Sequence, residues 1–148
     1  MARRSTLDQL MNLAQQKTDD AARNLAALNA SEQDAESKLR LLIAYREDYR
    51  TRFQEAAGSG IDPAAWRNFH AFMDQLNAAI VEQGKAVADS RRGVSAGQRQ
   101  WQTERQRLKS YDTLALRRQR AETSRTARTE QREQDEHAAR ICIKNKGP

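Results

Sequence analysis

The sequence predicts an all-α fold: a long two-helix antiparallel coiled-coil hairpin, followed by a charged C-terminal extension that is helical or partly disordered. Charged residues make up 31% of the 148 residues and aromatic residues only 5%, so the chain has too few apolar side chains for a thick globular core. Apolar residues recur at alternating spacings of three and four in both halves of the chain. A short stretch rich in glycine and proline separates the halves.

The first helical arm is expected over about residues 5–57. Its apolar track runs from Leu7 to Ala56 at coiled-coil positions a and d. The track is interrupted only at three a positions, which recur every 14 residues: Thr18, Glu32 and Arg46.

The turn is expected at residues 58–62, in the stretch "GSGID". Gly58 suits the left-handed backbone conformation found just past a helix end. Asp62 is a plausible N-cap, and Pro63 has the preset φ of a first helical residue. The stretch lacks the lysine and the preceding strand of a phosphate-binding loop.

The second arm is expected over about residues 63–118. Its a positions are apolar from Trp66 to Ala115, whereas polar residues and a glycine fall at d. The basic tail, residues 119–148, has good helix formers but almost no apolar stripe. We treat residues 1–148 as one coiled-coil domain and as a monomer.

Folding the chain at the turn makes facing residue numbers sum to 122, so that a positions face d positions. One set of layers is then entirely apolar: Leu7/Ala115, Ala14/Leu108, Ala21/Trp101, Leu28/Val94, Ala35/Val87, Leu42/Ile80, Tyr49/Met73 and Ala56/Trp66. The alternate layers carry a polar residue or a glycine in the middle of the arms, and Gly84, Gly93 and Gly97 lower the helix propensity there. We therefore expect the middle to be the weakest part.

The residue types needed for catalysis or metal binding are scarce. His70 and His137 have no companion ligands at metal-binding spacing, and Cys142 is the single cysteine. We expect no enzyme activity, no cofactor and no metal. No apolar run approaches the length of a membrane span, and the N-terminus lacks a signal-peptide pattern.

The net charge of +6 is concentrated at the C-terminus, because residues 117–148 hold nine basic and five acidic residues. Such a tail can meet nucleic acid, an anionic membrane or an acidic protein surface. Interleaved acids and the lack of aromatic residues beside the tail arginines argue against nucleic acid.

One flank of the hairpin near the turn is predicted to be aromatic. Tyr45, Phe72 and Ala79 occupy g positions, and the rims of Leu42, Tyr49 and Leu76 should extend the patch. Large aromatic residues on a charged surface often mark a docking site, although they also seal a seam against water.

Three segments of the chain resemble the FliJ family of the bacterial flagellar type III export apparatus: "AAR" at 21–23, "LLIAYREDYR" at 41–50 and "GIDPAAWRNFHAFMDQLNAAI" at 60–80. The resemblance covers roughly residues 7–116 and depends mainly on the positions of Tyr45, Tyr49, Gly60, Trp66 and Phe72. It implies a cytoplasmic coiled coil, peripheral to the inner membrane through its partners, that serves flagellum biogenesis, cell motility and chemotaxis.

The resemblance also implies partners. FliJ proteins resemble the central stalk of rotary ATPases, insert into the hexameric ring of the export ATPase FliI, bind the export gate FlhA and interact with export chaperones. By resemblance, contact with the gate falls on Leu42, Tyr45, Tyr49, Phe72, Leu76 and Ala79. Contact with the ATPase ring falls on Leu7, Met11, Arg23, Arg105, Arg117 and Arg118.

Two other functions stay open at this point. The chain could escort export chaperones and cargo without entering the ATPase ring. A nucleic-acid-binding coiled coil is the third alternative, and its affinity would fall steeply with salt.

Overall fold

The computed structural model describes residues 2–145, with side chains from Thr6 onward. Helix α1 spans Ala2–Ala57 and helix α2 spans Pro63–Asn145, with no strand between residues 2 and 145. The two helices pack against each other, which confirms the all-α two-helix hairpin. Met1 and residues 146–148, which the predicted domain and tail include, lie outside the described residues.

The chain divides into two compact units. The turn unit is Lys17–Glu104. The terminal unit combines the N-terminal residues up to Gln16 with the residues from Arg105 onward. Each unit contains a segment of α1 and a segment of α2, so each has its own stretch of helix-to-helix packing.

The turn between the helices occupies residues 58–62. The amides of Ser59 and Gly60 donate to the carbonyls of Ala56 and Ala57, at 3.1 and 3.2 Å. The predicted left-handed conformation at Gly58 is wrong, since among the described residues only Gly60 has a positive φ, of 89°. The turn residues first donate their amides to the last carbonyls of α1, so the left-handed residue comes two positions after Gly58.

The start of α2 follows the prediction. Pro63 is its first residue, and the Trp66 amide donates to the Asp62 carbonyl at 3.1 Å. That bond places Asp62 at the N-cap, where the carbonyl already accepts a helical bond. The proline adds its preset φ without sacrificing a needed amide.

Large rings fill the seam of the turn unit next to the turn. Phe69 and Phe53 stack with ring centroids 3.7 Å apart and planes 8° apart. The predicted layer Ala56/Trp66 is wrong, because Ala56 is exposed and Trp66 is 53% exposed. The stacked rings occupy the last full layer, and Trp66 lies instead against the His70 ring, at 4.0 Å between centroids.

Gly97 has a packing role that its predicted weakening effect overlooks. It is buried in the turn unit, and a Cβ added there would come within 2.7 Å of Leu28 Cδ1 and 3.4 Å of Leu25 Cδ1. The glycine therefore lets these two leucines close against the backbone of α2. Gly84 differs, since a Cβ there would meet nothing within 4 Å.

Polar residues in the middle of the turn unit bond across the two helices. Gln83 Nε2 donates to the Ala35 carbonyl at 2.9 Å, and Arg46 donates to Asn77 Oδ1 at 3.1 Å. Arg91 forms ion pairs with two carboxylates of α1, with the shorter contact 3.0 Å long. As the residue number in α1 rises from Ala35 to Arg46, the number of its partner in α2 falls from Gln83 to Asn77, as antiparallel pairing requires.

The terminal unit has a short seam and a long exposed segment of helix. Leu7 and Ala14 are buried at 8% and 2% exposure, as the seam register predicts. From Leu116 to Asn145 every residue of α2 is exposed. The predicted tail is therefore helical through Asn145.

Candidate docking surfaces

The aromatic flank is a linked set of rings in the turn unit. The ring centroids of Tyr49 and Phe72 lie 4.6 Å apart, and Tyr45 meets Phe72 edge-on at 6.0 Å. Tyr49 also stacks on Phe69, at 5.5 Å, so the flank is continuous with the buried seam. Such ring pairs add to stability beyond the apolar area that they bury, and they restrict the orientation of each ring.

The six residues assigned by resemblance to the gate differ in exposure. Tyr45 is 52% exposed and Ala79 is exposed, so both present surface to a partner. Leu42, Tyr49 and Phe72 are half-buried. Leu76 is only 7% exposed and belongs to the buried cluster with Phe69 and Met73. Leu76 thus supports the rings from beneath and offers little surface of its own.

Leu41 extends the aromatic flank, and the sequence reasoning missed it. Its side chain is 69% exposed, and it lies four residues before Tyr45 on α1. Residues four apart lie on the same side of a helix. The sequence feature that could have identified it is a leucine at an outer coiled-coil position, where an apolar side chain does not pack in the seam.

The residues assigned by resemblance to the ATPase ring belong to both units and differ in exposure. Leu7 is buried and Met11 half-buried in the terminal unit, whereas Arg105, Arg117 and Arg118 of the same unit are exposed. The two apolar residues therefore belong to the seam, and the three arginines present the exposed surface.

Arg23 belongs to the turn unit and has a local partner. Its Nη2 lies 2.7 Å from Asp20 Oδ1, one helical turn earlier. This hydrogen bond and the charge of Asp20 raise the pKa of the Arg23 guanidinium. The pair is exposed, so Arg23 can exchange Asp20 for another acidic group at little cost.

The exposed apolar surface of the terminal unit includes four leucines that the prediction omitted, together with Ile141 and Ile143. Leu10 and Leu13 are 39% and 47% exposed, and Leu114 and Leu116 are 44% and 53% exposed. All four lie outside the a and d track, which is why a search for seam residues passed over them. Exposed leucines on a charged surface are candidates for contact with a partner.

The comparison with known proteins decides the family. A family model described as "Flagellar FliJ protein" matches residues 3–147. The chain belongs to the FliJ family. The match extends beyond residues 7–116, the span of the sequence resemblance, and includes the described part of the exposed C-terminal helix.

Two curated FliJ relatives are similar over nearly their whole length. The flagellar FliJ protein of Salmonella typhi is 31% identical to this chain, and that of Escherichia coli strain K12 is 30% identical. Each alignment has 144 residues and covers 97% of this chain and 98% of the relative. FliJ proteins are components of flagellar export and are not a known enzyme family.

The described part of the chain holds neither a group of metal ligands nor a helix that could span a membrane. Between residues 2 and 145, no three His, Cys, Asp or Glu residues are grouped as metal ligands, and Cys142 is exposed. Neither described helix has an apolar stretch that could span a membrane.

Proposed function

We propose that this FliJ-family chain is a non-enzymatic stalk in the ring of the export ATPase FliI and links that ring to the export gate FlhA. It binds export chaperones in the same apparatus, in the cytoplasm at the inner-membrane base of the flagellum. Through protein export it serves flagellar assembly, and thereby motility and chemotaxis.

The observation that carries the gate contact is the exposed ring of Tyr45. Half of Tyr45 is open to solvent while its neighbours Tyr49 and Phe72 hold it in place. A ring that is fixed before binding loses little conformational entropy when a partner covers it. Aromatic anchors of this kind often supply much of the binding energy at an interface.

The stalk role is supported by the exposed helix of the terminal unit. From Leu116 to Asn145 it has no buried residue, and its exposed arginines and leucines offer contacts on a single narrow element. Such an element fits the opening of a ring better than it fits a pocket. A single stalk inside six subunits contacts only some of them at once, so it can bias nucleotide turnover without taking part in the chemistry.

The gate contact is tested by Tyr45→Ala. We expect the dissociation constant for the cytoplasmic domain of FlhA to rise about tenfold or more, because a central aromatic anchor is lost. Isothermal titration calorimetry measures the constant, and circular dichroism should show unchanged helicity.

Trp66→Ala is the matched control for that experiment. Trp66 is as exposed as Tyr45, at 53% against 52%, but it packs against the tilted ring of His70 and makes no ring contact with Tyr45. We expect its gate affinity to stay within about twofold of the parent chain. Equal losses in the two variants would refute the assignment of the aromatic flank.

The stalk role is tested with purified FliI and a chain truncated after Arg118. The full chain should co-purify with the ATPase and accelerate ATP hydrolysis, and the truncated chain should do both less well. Undiminished stimulation by the truncated chain would refute the role of the tail. Binding of chaperones without any effect on the ATPase would favour the escort function instead.

A further inference from the structure

Three exposed leucines lie on one flank of the terminal unit. Leu10 and Leu13 of α1 are 39% and 47% exposed, and Leu114 of α2 is 44% exposed. Leu10 and Leu114 both occupy coiled-coil position g, and in an antiparallel pair the g positions of the two helices border the same side of the seam. Leu13 follows Leu10 by three residues, so the two share a side of α1. We call these three residues the leucine flank.

The register of the seam places the leucines of the two helices close together. Leu7 and Ala14 are buried, as expected when facing residue numbers sum to 122, and this sum sets Leu114 level with residue 8 of α1. Leu114 therefore lies about 3 Å along the axis from the level of Leu10. Helical side chains lean toward the N-terminus of their own helix, so in this antiparallel pair Leu10 and Leu114 lean toward each other. The leucine flank is thus one apolar patch built by both helices.

Two arginines of α2 border the leucine flank. Arg107 and Arg117 are both exposed. With about 100° of rotation per helical residue, Arg107 lies about 20° and Arg117 about 60° from Leu114 around the helix axis. The flank therefore combines an apolar centre with positive charge beside it.

The acids of the same segments lie on other sides. In residues 6–16 and 105–121 the only acids are Asp8 and Asp112. Both occupy position e, which borders the opposite side of the seam from position g. Glu122, the next acid along α2, occupies a seam-type a position about 80° from position g. The leucine flank is thus positive, and the flank across the seam carries both acids of these segments.

The shape and charge of the flank favour an acidic α-helix as the occupant. Two helices packed side by side leave a groove along each flank, and an amphipathic helix binds such a groove through apolar residues three, four and seven positions apart. A second copy docking by the same flank would bring Arg107 and Arg117 toward their own counterparts, and like charges oppose that pairing. A lipid surface needs a longer apolar stripe, whereas Arg107 and Ala121 occupy the g positions before and after Leu114.

We propose that the leucine flank docks an amphipathic α-helix of another protein. The apolar stripe of that helix covers Leu10, Leu13 and Leu114, and its carboxylates pair with Arg107 and Arg117. The proposal goes beyond the stalk function, because it specifies the chemistry of the bound helix whichever export component carries it. Its test uses a peptide and neither the ATPase nor the gate, so the failure of one proposal is distinguishable from the failure of the other.

The probe is an alanine-based helical peptide with leucines at alternating spacings of three and four and glutamates beside the leucine stripe. One control peptide has lysines in place of the glutamates, and a second has the composition of the probe with its leucines scattered around the helix. Amide shifts in ¹⁵N NMR spectra of the full chain at low salt give the dissociation constants. We expect the probe to bind about tenfold more tightly than either control, with shifts concentrated in residues 6–16 and 105–121.

Leu114 and Leu116 provide a matched pair of variants. They are 44% and 53% exposed on the same helix, but their two-residue separation sets them about 160° apart around its axis. Leu114→Gln should weaken binding of the probe about tenfold, because an apolar contact is lost, and Leu116→Gln should change it less than about twofold. Glutamine is a good helix former, so both variants keep the helix, which circular dichroism verifies.

Arg117 and Lys109 give the same comparison for charge. Both are exposed, and each substitution by glutamine removes one positive charge, but Lys109 lies about 140° from Leu114 around the helix axis. Arg117→Gln should weaken binding of the probe about threefold at low salt, and Lys109→Gln should change it less than about 1.5-fold. High salt should remove the difference, because it screens the pairing of exposed charges.

Each outcome decides the proposal. Equal weakening by the two leucine variants, or equal affinity for the probe and either control peptide, overturns it, because binding then does not depend on the flank or on its charge. It is also overturned if vesicles of phosphatidylglycerol, and not the probe, perturb the amides of the flank. The same holds if sedimentation velocity shows a dimer that Leu114→Gln dissociates, since a second copy then covers the flank.

Discussion

The seam next to the turn and the middle of the same turn unit use different chemistry to join the same two helices. Near the turn, Phe53 and Phe69 stack at 3.7 Å and Tyr49 stacks on Phe69. In the middle, Gln83 bonds a backbone carbonyl, Arg91 pairs with carboxylates, and Gly97 lets two leucines approach. Burial of large rings contributes several times more stability than an exposed polar contact, so the two regions should differ sharply under mutation.

The largest effect is expected from Phe69→Ala. The ring is 8% exposed and contacts Phe53 and Tyr49, so its removal leaves a cavity in the strongest part of the seam. We expect the free energy of unfolding to fall by about 3–4 kcal/mol, measured by urea denaturation.

Trp66→Ala provides the comparison for Phe69. The Trp66 side chain is 53% exposed, and its loss should cost less than about 1 kcal/mol. Similar losses at the two positions would mean that Trp66 belongs to the seam. The sequence register predicts that position, whereas the structure leaves Trp66 outside the seam.

A pair of glycine variants gives the intermediate effect. Gly84→Ala should raise the free energy of unfolding by about 1 kcal/mol, because the helix gains propensity and the added methyl group meets nothing. Gly97→Ala gains the same propensity but presses on Leu28, which should turn the balance to a loss of about 1 kcal/mol. A gain at both positions would show that Leu28 moves aside freely.

The smallest effect is expected from Arg91→Ala. Arg91 pairs with Glu36 and Glu32 of the other helix, whereas Arg92 pairs with Asp89 of its own helix. We expect a loss of about 0.5 kcal/mol for Arg91→Ala in low salt and a smaller loss for Arg92→Ala. High salt should remove the difference, and its persistence would indicate that Arg91 acts through packing.

The sequence predicted the seam well where side chains alternate regularly. Leu7, Ala14, Phe69, Met73 and Val87 are buried as the three-four spacing requires. The prediction failed where the helices end. The three-four spacing assumes that every layer has a residue from each helix, but beside the turn Trp66 has no buried residue of α1 opposite it. A turn that contains several glycines also does not indicate which of them has the left-handed conformation.

The candidate surfaces were predicted less completely. The positions of Tyr45 and Phe72 followed from the register, but Leu41 and the exposed leucines of the terminal unit lie at positions for which a coiled-coil pattern makes no demand. The tight approach of Gly97 to Leu28 also depends on the actual distance between the helices, which spacing alone does not give.

The stacked rings beside the turn also affect the order in which the turn unit folds. Phe53 and Phe69 close a loop of only 16 residues, whereas Gln83 and Ala35 are 48 residues apart and Gly97 and Leu28 are 69 apart. Closing the longest of these loops first would cost about 1.3 kcal/mol more chain entropy than closing the shortest. The strongest contacts thus lie where loop closure in the unfolded chain is most frequent, and we expect the remaining layers to form in order of increasing distance from the turn.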